Sequence, residues 1–199
     1  LVDLDRMPTM GWIFVGYMAL LVVFAGLSGV GALVSLVASA VMMWKVYIPL
    51  LLWGAPPIPS ALLMVLVLTC IIDFSVAGFT KLAVSAIIGS LLGTLVPLLL
   101  SLLFSQMLRL DGTTLPFLVP LLSQTSLQLD IRSVYLAMTF IGASGALTDL
   151  GMDIAASCNE VQVHAPSISG RELRRAGISV GKTVIGTMTT TLVMAYSGN

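Results

Sequence analysis

The chain has 199 residues, 58% of them hydrophobic and only 9% charged, with a formal net charge of zero. Soluble domains carry about 25% charged residues, and so apolar a chain has too little polar surface to cover a soluble fold, so the composition places it in a membrane. The neutral balance offers no basic face for nucleic acid.

Spanning a bilayer takes about 20 apolar residues, within a range of roughly 17–25. Apolar stretches of about this length predict membrane helices near residues 11–26, 30–53, 60–77, 82–107, 133–157 and 177–196. Trp12 and Tyr17 read as interface anchors of the first. Lys45 and Pro49 interrupt the second, and Asp73 falls near the end of the third. Helices are the expected form because lipid offers no partner to a free backbone group; the short alternating strands of a membrane barrel are missing from the sequence. The expected fold class is therefore all-α, a polytopic bundle of about six membrane helices forming one transmembrane domain over residues 1–199. The chain opens on Leu1 with no signal-peptide pattern, which is expected of a portion of a longer protein.

Most connections are short. Residues 54–59 (GAPPIP) predict a rigid turn. Residues 108–132 are longer, and the apolar run 115–122 within them is too short to span, so it reads as an interfacial or re-entrant piece. The loop over 160–176 carries Arg171, Arg174 and Arg175, on the same side as Lys81, with Arg6, Arg109 and Arg132 on the other. That bias points the 160–176 loop inward and both termini outward. His164 and Glu172 read as solvated loop residues, and Cys70 and Cys158 as small buried hydrophobes instead of a disulfide. No metal site and no cofactor are expected.

The chemistry concentrates in the last two segments. Asp149 and Asp153 lie inside a membrane-length apolar stretch, spaced to share one helix face. A charge in hydrocarbon costs from ~3 to above ~10 kcal/mol, so such acids are paired, hydrated or used. Counted inward from the joining loop, Asp153 and Lys182 reach similar depth, which predicts an ion pair between them and leaves Asp149 unpaired, a cation or proton site. Thr183, Thr187 and Thr190 lie along the final segment, where hydroxyls either bond their own helix or line a cation path. Gly142, Gly145, Gly181 and Gly186 predict close packing of the two helices.

Two enzymatic readings fail on spacing. Residues 177–183 (GISVGKT) imitate a phosphate loop but hold three residues where that motif needs four, and no strand precedes them. An intramembrane aspartyl protease could pair Asp73 with Asp149, yet the lead-in is Gly145-Ala-Leu-Thr-Asp149, not Gly-x-Gly-Asp. No enzymatic activity is expected.

Residues 142–160 (GASGALTDLGMDIAASCNE) and 171–198 (RELRRAGISVGKTVIGTMTTTLVMAYSG) together resemble the signature of the YibE/F family of bacterial membrane proteins. The likeness is dense over 142–198. The sequence departs from it at Lys182 and Thr183, where the family usually has Arg-Asp, and at Thr190, where it usually has Asn. The resemblance implies a multi-pass protein of the bacterial inner membrane, usually with a further amino-terminal helix, an extracytoplasmic domain and a last helix, and it implies no settled biochemical activity. A fainter likeness links Asp149 and residues 182–190 to the membrane part of the SecD/SecF export proteins, whose Asp-Arg pair is absent here. The expected function is ion- or proton-coupled transport or translocation, with the bilayer and a monovalent cation or proton as partners. The rival is a non-transporting membrane subunit whose polar residues only pack helices. Either leaves room for a homo-oligomer or a partner membrane subunit.

Overall fold

The computed structural model describes residues 7–107 and 130–197, and these are helical with no strand among them. In chain order they form α1 (Met7–Met42), a π turn (Met43–Tyr47), α2 (Ile48–Leu52), α3 (Pro57–Ala77), α4 (Lys81–Met107), α5 (Ile131–His164) and α6 (Gly170–Ser197). The stretch 115–122, expected to be interfacial, lies outside the described residues, as do Arg6 and Arg109.

The boundaries have local causes. α1 breaks at Gly26, whose φ of 57° and ψ of −133° few other residues tolerate. The bend is sharp: a Cβ at Gly29 would lie 2.8 Å from the Leu21 carbonyl oxygen, whereas eight residues of straight helix rise about 12 Å. This break separates the first two expected segments. Pro49 has no N–H and its ring crowds the carbonyl four residues back, and the helix answers with the π turn just before it. There the Ile48 N–H reaches the Met43 carbonyl. Lys45 is turned outward, its Nζ 4.8 Å from the centre of the Trp44 ring. Gly78, at φ 66°, ends α3. The Thr80 hydroxyl then accepts from the Ala83 N–H at 3.3 Å and caps α4.

α5 starts under the Asp130 carboxylate, which accepts from the Arg132 N–H. It runs to His164, two turns past the expected end, because Asn159, Glu160, Gln162 and His164 continue a helical segment in polar form. α6 opens on a reciprocal cap. The Ser169 N–H and hydroxyl both donate to the Glu172 carboxylate, and the Glu172 N–H donates back to the Ser169 hydroxyl.

Four segments are long and apolar enough to cross a membrane: Ser28–Leu52, Pro57–Ala77, Lys81–Ser105 and Ile131–His164. Met10–Gly26 is a shorter apolar helix. α6, expected as a sixth span, does not meet the same measure, since it carries Arg171, Arg174, Arg175 and Lys182 and is rich in threonine.

α5 is the central element, packed against α3, α4 and α6, while α1 packs on α3. Tyr47, Ala61, Met64, Val65, Ala137 and Phe140 form the apolar core between the α1–α2 region, α3 and α5. Two glycines permit the closest approaches. A Cβ at Gly31 would collide with the Ser75 carbonyl of α3, and one at Gly151 with the Ser90 hydroxyl of α4. Ser90 in turn donates to the Leu147 carbonyl at 3.3 Å. At the opposite end, Arg132 Nε donates to the fully buried Ser105 hydroxyl at 2.9 Å, tying α5 to α4 a second time.

Two outcomes follow from this packing. Gly151→Val should lower the thermal midpoint in detergent, at an overpacking cost of about 1–3 kcal/mol, whereas Gly145→Ala, with nothing within 4 Å of the new Cβ, should leave it unchanged or slightly raised. The second concerns pH. The Ser169 hydroxyl, then the Ser169 N–H, hold the Glu172 carboxyl below its usual range, so its capping contribution is present above the ordinary carboxylate pKa and lost as pH falls through the lowered one. Amide exchange in the first turn of α6 should therefore rise only at pH below the usual glutamate midpoint.

Candidate functional site

The site is built where α3 and α5 run side by side. Tyr47, Ala61 and Phe140 set their spacing in the core. One level further on, the Thr69 and Thr148 hydroxyls share a hydrogen bond of 3.3 Å between the helices, both side chains being buried. Thr148 also donates to the Ser144 carbonyl of its own helix at 3.0 Å. One turn beyond Thr69 comes Asp73, and the residue after Thr148 is Asp149. Counted from that contact, the two carboxyls are offset by about one turn along the bundle.

Asp73 is fully buried, with 0% of its surface exposed. Neither of its carboxyl oxygens has a hydrogen-bond partner among the described residues. Asp149 follows directly on Thr148, which meets Thr69 one turn before Asp73, and Asp153 lies one turn beyond Asp149 on α5. Asp149 and Asp153 are themselves exposed on the outer face of α5. Three carboxyls thus lead from the surface of the bundle to its interior. Asp73, which the sequence suggests is a near-interface group, is the enclosed end of that series.

The acid–base pair expected between Asp153 and Lys182 is not made. α5 and α6 do pack at the expected register: a Cβ at Gly181 would lie 3.1 Å from Ile154 Cδ1, and one at Gly177 2.9 Å from the Cys158 sulfur. Asp153 and Lys182 are therefore level, but both side chains are exposed and turned away from the contact. Depth along a helix was legible, and rotation about its axis was not. The acid–base contact present among the described residues places His164 Nε2 3.5 Å from Glu160 Oε1, one turn apart on the exposed tip of α5.

The threonines of α6 follow their own helix. Thr183 donates to the Ser179 carbonyl at 3.2 Å, Thr187 to that of Val184 at 2.9 Å and Thr190 to that of Gly186 at 3.1 Å, all on exposed positions. Within this chain they do not reach Asp149. Of the four glycines expected at the α5–α6 contact, Gly181 is there, while a Cβ at Gly142, Gly145 or Gly186 would meet nothing within 4 Å. Gly177 joins Gly181 at that contact, while Gly151 packs α5 on α4 instead. No group of three His, Cys, Asp or Glu side chains among the described residues is placed to hold a metal ion.

A family model described as YibE/F-like protein matches residues 13–199. The chain belongs to that family. The match covers nearly the whole sequence, including the helices before residue 142 where the sequence likeness is thinner. No curated protein and no solved structure matches the chain, and the fainter SecD/SecF likeness is not shown. For this YibE/F-like protein, the apolar helices and the family together make it a membrane protein. The family description names no activity, so chemistry has to come from the site.

With no partner across the α5–α6 contact, Lys182→Met should leave the melting midpoint within about 0.5 kcal/mol of the parent, as for surface changes generally. Thr148→Val, which strips a buried hydroxyl from Thr69, should cost about 1 kcal/mol. Thermal melts of both variants in one detergent check the contrast.

Proposed function

We propose that this YibE/F-like protein is an ion- or proton-coupled transporter or translocation component, a multi-pass protein of the bacterial inner membrane. The observation that carries this reading is the enclosed Asp73 carboxyl, without a hydrogen-bond donor among the described residues, at the inner end of a series that continues through Asp149 to Asp153. A carboxylate charge in such a place is costly. Uptake of a proton or a monovalent cation removes the cost. In the proposed cycle Asp153 and Asp149 take the ion from the face of α5, and Asp149 passes it to Asp73. Two neighbouring acids in one low-dielectric site do not hold two charges readily, so loading one carboxyl favours release from the other. The Thr69–Thr148 bond keeps α3 and α5 in the register that this exchange needs. A change in net charge between helices is then able to shift the population of two packing arrangements, the minimum that coupling requires.

A second reading has its own support. Every described threonine of α6 bonds its own helix, and Lys182 stands apart from both acids. In that reading the protein is a non-transporting membrane subunit, and its polar residues serve only packing.

Substitution by asparagine separates the two, since it keeps size and hydrogen bonding and removes the titration. In liposomes under an imposed proton or sodium gradient, Asp73→Asn and Asp149→Asn should each abolish ion flux, read by a pH- or sodium-sensitive dye, while both proteins still melt cooperatively. Asp153→Asn should retain part of the flux. If Asp73→Asn and Asp149→Asn both keep full flux, the relay is wrong; if the parent protein moves neither ion, the packing reading stands.

A further inference from the structure

A second site lies away from the three carboxyls. Between α4 and α5 a cavity of about 550 Å³ opens, lined by Lys81, Gly89, Gly93, Leu150, Asn159 and Gln162 among others. Its two ends differ in chemistry. Lys81, Asn159 and Gln162 gather at the mouth, where α4 begins and α5 leaves the apolar zone. Inward, the walls are chiefly glycine, leucine and isoleucine, and the Ser90 hydroxyl there is already turned to the Leu147 carbonyl. Lys81 has no carboxylate within ion-pair distance among the described residues, and its side chain is exposed. The same end of the bundle carries Arg171, Arg174 and Arg175, all exposed, at the start of α6.

Length decides what fits. From Lys81 to Gly93 α4 rises about 18 Å, slightly more than half of a hydrocarbon core about 30 Å thick. The groove therefore runs from one bilayer boundary to about the midplane, the span of one leaflet. It offers a free cation and two amides at the boundary and an apolar wall below. We infer that this groove binds one anionic phospholipid of the leaflet on the Lys81 side, its phosphate held by Lys81 with Asn159 and Gln162, and one acyl chain laid along Gly89 and Gly93. The glycines are suited to this: a Cβ at Gly89 would meet nothing within 4 Å, and one at Gly93 only Leu147 Cδ2 at 4.0 Å. Their missing side chains leave room for the chain and are not used for helix contact. The clustered cations match the leaflet that carries an excess of anionic lipid when the basic end faces the cytoplasm.

The test is native mass spectrometry of the full chain in mild detergent, with phosphatidylglycerol or phosphatidylcholine of identical acyl chains added. The parent should retain one phosphatidylglycerol per chain in preference to phosphatidylcholine. Lys81→Ala should lower that preference about fivefold, the worth of one lysine near an anionic surface, and Lys81→Arg should preserve it. Gly89→Leu, whose Cβ has open space around it, carries a bulky side chain into the groove and should lose both lipids, whereas Gly89→Ala, too small to fill it, should keep them. Equal retention of the two lipids by the parent overturns the headgroup assignment. Retention of lipid by Gly89→Leu, loss by Gly89→Ala, or a dimer of the chain in place of the lipid adduct overturns the groove.

Discussion

Two membrane helices can approach closely only where a side chain is nearly absent, and this protein uses that constraint at Gly151 and Gly31. Gly151 lets α5 press onto Ser90 of α4, and Gly31 lets α1 press onto the Ser75 backbone of α3. Lipid supplies no hydrophobic drive for helices to associate, so close packing and interhelical hydrogen bonds must hold them. Hydrogen bonds join α4 to α5 from Ser90 to Leu147 and from Arg132 to Ser105, and α3 to α5 between Thr69 and Thr148. With α1, α4 and α5 drawn in around it, α3 encloses its own Asp73. The enclosed acid is thus a result of glycine placement on helices other than the one that carries it.

That dependence explains what the sequence made legible. Apolar length located the helices, because in lipid each helix satisfies its own backbone. Gly26 and Pro49 marked a break and a distortion by local geometry alone. The shared face of Asp149 and Asp153 followed from their spacing of four, a property of one helix. Asp73 is different. Its position near the end of α3 is equally compatible with an interface, and only the arrangement of three other helices decides for burial. Lys182 fails for a related reason. Its depth was readable from the loop outward, but facing depends on which stripe of α6 meets α5, and that stripe is set by Gly177 and Gly181. Gly142, Gly145 and Gly186 have the same composition signal as Gly151 and meet nothing. Small residues in a membrane helix signal closeness to something, and the partner has to come from the fold.

The carboxyl series and the α4–α5 groove sit on different faces of the same helix. α5 presents Asp149 and Asp153 outward, Thr148 toward α3, and Gly151 toward α4. Charge exchange on one face and lipid occupancy on another would both act on how α5 sits against its neighbours. An exposed Asp149, Asp153 and Lys182 at membrane depth also need cover from water or protein, since lipid does not tolerate them bare.

The length of α5 has a mechanical meaning. Its 34 residues form one uninterrupted helix, about 51 Å long, against a hydrocarbon slab of about 30 Å. No proline and no left-handed residue softens it between Gly142 and His164. It is a continuous strut whose tip carries the exposed Glu160 and His164 side chains. Whatever grips that tip has a lever arm of about 17–23 Å from Glu160 and His164 down to Asp149. A tilt of the strut moves the acids past α3 as one piece. In that sense the far end of α5 is a handle, and Asp149 and Asp153 are what it turns past the Asp73 of α3.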